Sequence, residues 1–104
     1  MNKILLSKYT ARYGDLLSLT GDIFINERKT IKYVKVTGDT IKFRIVNPYD
    51  YTYREFNTND ESNFTISASQ FIGQEQYTYH AQVVVTAADG TIKFTTDPEV
   101  FEVV

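Results

Sequence analysis

One ten-residue run limits the possible folds more than any other. In Tyr77-Thr78-Tyr79-His80-Ala81-Gln82-Val83-Val84-Val85-Thr86, Tyr77, Tyr79, Ala81, Val83 and Val85 share one face. Thr78, His80, Gln82 and Thr86 share the other. A period of two places alternate side chains on opposite sides of an extended chain, so the run reads as a strand with one buried face. Asp89-Gly90 follows, a pair that tolerates the positive φ of a tight hairpin. Thr91-Ile92-Lys93-Phe94-Thr95 then returns antiparallel, with Ile92 and Phe94 expected inward.

The same pattern recurs upstream. Ile41, Phe43 and Ile45 alternate with Lys42 and Arg44, and Asn47-Pro48 ends that run because proline lacks a donor. Ile31 to Val36 reads as a preceding strand, joined to it by a hairpin at Gly38-Asp39. Ile23-Phe24-Ile25, Phe64-Thr65-Ile66 and Val100-Phe101-Glu102-Val103-Val104 supply further strands. Phe43, Tyr79, Val83 and Phe94 are the expected centre of the core. About seven strands at spacings of roughly ten residues are the pattern of an all-β sandwich or small barrel.

Composition removes several function classes. The 104 residues include no Cys, so neither a disulfide nor a thiolate nucleophile or zinc ligand is available. A net charge of −2 does not suit a domain that binds by neutralising phosphates, so nucleic acid is not an expected partner. Nor does it favour an anionic membrane surface. The apolar run Ile4-Leu5-Leu6 is too short for a signal peptide, and no window approaches a membrane span. A whole small protein made in the cytoplasm is the expectation.

The last third carries a recognisable layout. It runs Tyr77-x-Tyr79-x-Ala81-x-Val83, then Asp89-Gly90, then Ile92-x-Phe94, then Phe101-x-Val103. With Gly38-Asp39-Thr40-Ile41-Lys42-Phe43 ahead of it, this resembles immunoglobulin-like and fibronectin-type-III-like domains of bacteriophage virion proteins, including the N-terminal domains of baseplate upper proteins. The resemblance covers residues 36–104. The Cys pair and Trp of antibody domains are missing. It implies an immunoglobulin-like antiparallel β-sandwich acting as a non-enzymatic structural protein of a phage particle, as a decoration protein or a tail or baseplate adaptor. The implied partners are neighbouring virion subunits such as major capsid or baseplate proteins. The implied location is the virion, after synthesis in the host bacterial cytoplasm. A carbohydrate or cell-surface binding module is the alternative.

No constellation points to catalysis. His80, the sole histidine, lies on the polar face of its strand with no Ser-containing nucleophile motif to serve. Asn57, Asn59, Asp60 and Glu61 offer oxygen ligands but lack the central Gly and closing Glu of a calcium loop, so no metal or other cofactor is expected. Asn63-Phe64-Thr65 fits the glycosylation pattern, which has no use without secretion. Tyr49, Tyr51 and Tyr53 alternate beside Arg54. They suit packing on the domain itself, a protein interface, or stacking against sugars or bases.

Residues 1–21 stand apart from the sandwich expected over residues 22–104. Leu5, Leu6, Tyr9, Tyr13, Leu16 and Leu17 fall at helical spacings, but Gly14 interrupts them. The segment is expected to be an N-terminal arm that docks on a neighbouring subunit, or else an extra strand, with a helix as the remaining alternative. Its six apolar residues, with Tyr49, Tyr51 and Tyr53, are the candidate interface.

Overall fold

The computed structural model describes residues 1–58, 64–66 and 75–104, and none of these is helical. The strand segments among them are β1 (Lys3–Leu6), β2 (Thr10–Ala11), β3 (Leu19–Phe24), β4 (Thr40–Val46), β5 (Tyr53–Asn57), β6 (Phe64–Ile66), β7 (Tyr77–Thr86), β8 (Ile92–Thr95) and β9 (Glu99–Val103). They form two sheets. The smaller has the order β1-β3-β6, and the larger β2-β9-β7-β4-β5 with β8 also against β7.

The alternating runs form the middle of the larger sheet. β4 pairs antiparallel with β7 from Thr40↔Thr86 to Val46↔His80. Ile41, Phe43, Ile45, Tyr79, Ala81, Val83 and Val85 are buried, as their parity requires. The inner face of the smaller sheet supplies Ile4, Leu6, Leu19, Ile23 and Ile66 to the same core. Phe43 lies at its centre, fully buried, with the Phe56 ring stacked at 6.3 Å. Phe94 is half-buried at the margin, edge-on to Tyr33 at 5.4 Å.

Two strands share the free edge of β7. β8 pairs with its C-terminal end and β9 with its N-terminal end, from Ala81↔Glu99 to Tyr77↔Val103. Between them Pro98 has no N–H to give to the ladder. Thr96 fills the break. Its N–H donates to the Val83 carbonyl at 2.9 Å, and its buried hydroxyl accepts the Val83 N–H at 2.8 Å. No backbone group of Val83 is left unpaired by the interruption.

The hairpin at Asp89-Gly90 is present, with Gly90 at φ +89° and the Ala87 N–H donating to the Thr91 carbonyl at 2.8 Å. Ile92, however, faces solvent and is 60% exposed. The register explains this. Val85 opposes Phe94 while Thr86 opposes Ile92, so Lys93 is an extra residue that reverses the parity of Ile92.

Residues 31–36 are not a strand of the larger sheet. After a single bridge between Phe24 and Lys32, the chain crosses from one sheet to the other, with Tyr33 buried and Ile31, Val34 and Val36 exposed. Gly38-Asp39 therefore makes a turn in a crossover and not a hairpin. The buried Asp39 carboxylate holds it by accepting hydrogen bonds from the Tyr33 hydroxyl, the Val36 N–H (3.1 Å) and the Lys93 ammonium (2.9 Å).

Residues 1–21 belong to the sandwich. β1 pairs antiparallel with β3, from Lys3↔Phe24 to Leu6↔Gly21. The chain then leaves the smaller sheet at Ser7, and β2 joins the larger sheet by running parallel to β9. The Tyr9 hydroxyl accepts the Leu6 N–H at 3.0 Å across this switch.

Candidate functional site

Among the described residues, the largest group of exposed aromatics sits on the hairpin between β4 and β5. Its loop, residues 47–52, is closed at both levels of structure. The Asn47 N–H donates to the Thr52 carbonyl at 2.8 Å, and the Tyr51 N–H to the Asn47 carbonyl at 2.9 Å. Asn47 Oδ1 accepts the Tyr49 N–H at 2.9 Å. Asp50 Oδ1 accepts from the Thr52 N–H at 3.0 Å and from its hydroxyl at 2.7 Å. Those two bonds hold the Asp50 carboxyl below the usual carboxylate range. Tyr51 takes φ +61°, a conformation that costs a residue with a Cβ energy and is maintained here by the bonds on either side.

The tyrosines of this loop point outward. Tyr49 is 80%, Tyr51 75% and Tyr53 51% exposed. Only Tyr53 belongs to a strand, so the three do not line a single strand face as their alternation suggests. The Arg44 guanidinium lies 4.1 Å from the Tyr53 ring centre and pairs with Glu55 at 2.5 Å. Tyr49, Tyr77 and Tyr79 form a chain of edge-on rings at 5.9 and 5.3 Å. Burial pushes the Tyr79 hydroxyl's pKa up, and the hydroxyl donates to the Glu75 carbonyl at 2.9 Å.

Clefts open on either side of the loop. A polar one of about 360 Å³ lies among Asn47, Asp50, Thr52, Tyr53, Arg54, Glu75 and Tyr79. A second, of about 260 Å³, lies on the outer face of the larger sheet among Val46, Pro48, Tyr51, His80, Gln82 and Pro98. Four residues of that outer face fall in one row across four strands: Tyr53 opposite Val46, Val46 opposite His80, and His80 opposite Val100.

The expected N-terminal interface residues are dispersed. Leu6 and Leu17 are buried in the core, and Tyr9 is half-buried against it, so these three are committed to the domain itself. Leu5, Tyr13 and Leu16 remain exposed. β2, next to Tyr9 and Tyr13, lies at the opposite edge of the larger sheet from β5, which carries Tyr53. Asn57 ends β5, whereas Asn59, Asp60, Glu61 and Asn63 lie outside the described residues. Arg54 is picked out beside the tyrosines and Asn47 only as a strand end, whereas Asp50 and Glu75 are not singled out by sequence pattern. The Asp50-x-Thr52 spacing, an Asx-turn signature, was the available signal for the loop. Comparison with known proteins finds no matching family model, no matching curated protein and no matching solved structure.

Proposed function

We propose that the chain is an immunoglobulin-like sandwich that serves as a non-enzymatic structural protein of a bacteriophage particle, working through protein–protein contacts. The strand order supports the first part. A first strand that changes sheets (β1 then β2), and a last strand broken at Thr96–Pro98 (β8 then β9), leave seven strands among the described residues when each pair is counted as one. The sequence resemblance supports the phage setting, with a capsid or baseplate protein as the neighbour.

The observation that carries the mode of action is the outer face of the larger sheet. The row Tyr53–Val46–His80–Val100 spans four strands and is flanked by Tyr51, Pro48 and Pro98. Tyr53 and Val100 are 51% and 53% exposed. Tyrosines with apolar neighbours on a rigid sheet suit a protein interface, because the rings bury much area at little conformational cost. Val100→Asp places a charge in the row without touching the core. The variant is expected to fold with an unchanged circular dichroism spectrum and to be missing from purified particles. Incorporation at the wild-type stoichiometry would move the contact elsewhere.

A further inference from the structure

We propose that the polar cleft beside the 47–52 loop binds a neutral saccharide. It borders the outer-face row at Tyr53, the residue the two share, and otherwise reaches Arg54 and Tyr79 on the inner side of the larger sheet, where its chemistry differs from that row. Arg54 pairs across β5–β4 with the inward-facing Ile45, and Tyr79 belongs to the core face of β7.

A sugar ring presents two kinds of surface. Its C–H face packs on aromatic rings, and its hydroxyls donate and accept hydrogen bonds at once. The cleft offers both. Tyr53, at the rim shared with the outer-face row, supplies a half-exposed ring with the Arg44 guanidinium 4.1 Å from its centre. The polar atoms around it are of both kinds and are uncommitted among the described residues. Asp50 Oδ2 and the Glu75 carboxylate are acceptors, while the Arg54 guanidinium and Asn47 Nδ2 are donors. The Asp50 and Asn47 side chains each close the loop through Oδ1. A volume of about 360 Å³ falls within the range of small-molecule sites, ~300–1,000 Å³.

Charge and rigidity narrow the class. Among the described residues, two carboxylates and one guanidinium line the cleft, a net negative balance that disfavours phosphate, sulfate and sialic acid. The concave, polar wall also differs from the outer-face row, whose exposed members Tyr53 and Val100 suit a protein. Because the loop is already held by its own hydrogen bonds, a ligand finds the donors and acceptors placed and spends little binding energy on ordering them.

The test is chemical-shift mapping on the full chain with lactose, maltose, chitobiose and methyl rhamnoside, and with sialyllactose as the anionic counterpart. At least one neutral probe is expected to bind with Kd of about 1 mM or tighter and to shift the backbone amides of Asp50, Arg54 and Glu75. Arg54→Ala and Glu75→Ala, both at the surface, should keep the fold and weaken binding by about tenfold or more. Val100→Asp should leave binding unchanged, which separates this site from the protein contact proposed above. The assignment is overturned if no neutral probe moves these amides, if sialyllactose binds in preference, or if the two cleft variants bind as the parent does.

Discussion

Ile4 and Leu5 are neighbours in β1 with opposite fates, and substituting each by alanine separates a strand from a docking arm. Ile4 is fully buried and pairs with the fully buried Ile23, whereas Leu5 is 45% exposed and pairs with Asp22. Ile4→Ala removes three carbons from a closed core and leaves a cavity, a change that costs about 2–5 kcal/mol. Leu5→Ala removes half-solvated carbons and should cost about 1 kcal/mol or less. A domain of this size is stable by only ~5–15 kcal/mol, so the first loss is a large share of the total. With a urea slope of about 1.5 kcal/mol/M, a loss of ~3 kcal/mol lowers the unfolding midpoint by about 2 M. The assay is urea denaturation of the isolated chain, followed by circular dichroism. If residues 1–11 docked only on a neighbour, both substitutions would leave the isolated chain's midpoint in place. Equal and small shifts would therefore refute the integration of β1 into the core.

Three other perturbations probe other parts of the fold. Phe43→Ala should cost about 3–5 kcal/mol, since Phe43 is fully buried with Phe56 stacked on it; a loss under about 1 kcal/mol in the same assay would contradict its central place. Gly90→Val should lower stability by about 1 kcal/mol or more through strain at φ +89°, read as a lower melting temperature. Asp39 should make the domain acid-sensitive. Its carboxyl is held below the usual range, chiefly by the Tyr33 hydroxyl and then by Lys93, so its stabilisation is full above the unfolded-state pKa of about 4 and fades as pH falls through the lower folded value. Melting temperatures from neutral to acid pH should fall less steeply for Asp39→Asn than for the parent.

What was legible in the sequence depended on how long a strand keeps one parity. β4 and β7 run for 7 and 10 residues, long enough for a period of two to stand out, and their inward residues are those the alternation selects. β1 and β2 have 4 and 2 residues and belong to different sheets, so no single period describes residues 1–11. Leu6 and Leu17 therefore looked like an unattached apolar surface although they are core. Ile31, Tyr33 and Val36 carry a strand-like composition, but the chain crosses between sheets there, and only Tyr33 of the three is buried, with its hydroxyl bonded to Asp39. Ile92 was misassigned because a one-residue bulge leaves no mark in an alternating pattern. At the loop, the exposed tyrosines were visible as residue types. The grouping of Asn47, Asp50, Arg54 and Glu75 depends on a hairpin and on a residue more than twenty positions away, which local spacing does not encode.

The parallel pairing of β2 with β9 has a mechanical consequence. Three hydrogen bonds join the strands and their extensions: Glu102 N–H to the Tyr9 carbonyl at 3.0 Å, Val104 N–H to the Ala11 carbonyl at 2.9 Å, and Tyr13 N–H to the Val104 carbonyl at 2.6 Å. Tension that enters the chain ahead of β2 and leaves it after β9 pulls two parallel strands in opposite directions along their length. The bonds are then sheared together and must fail together, whereas strands peeled from one end give way one bond at a time. A domain tethered in this way resists a pull along its chain more than its modest thermodynamic stability suggests, because the force meets the whole seam at once.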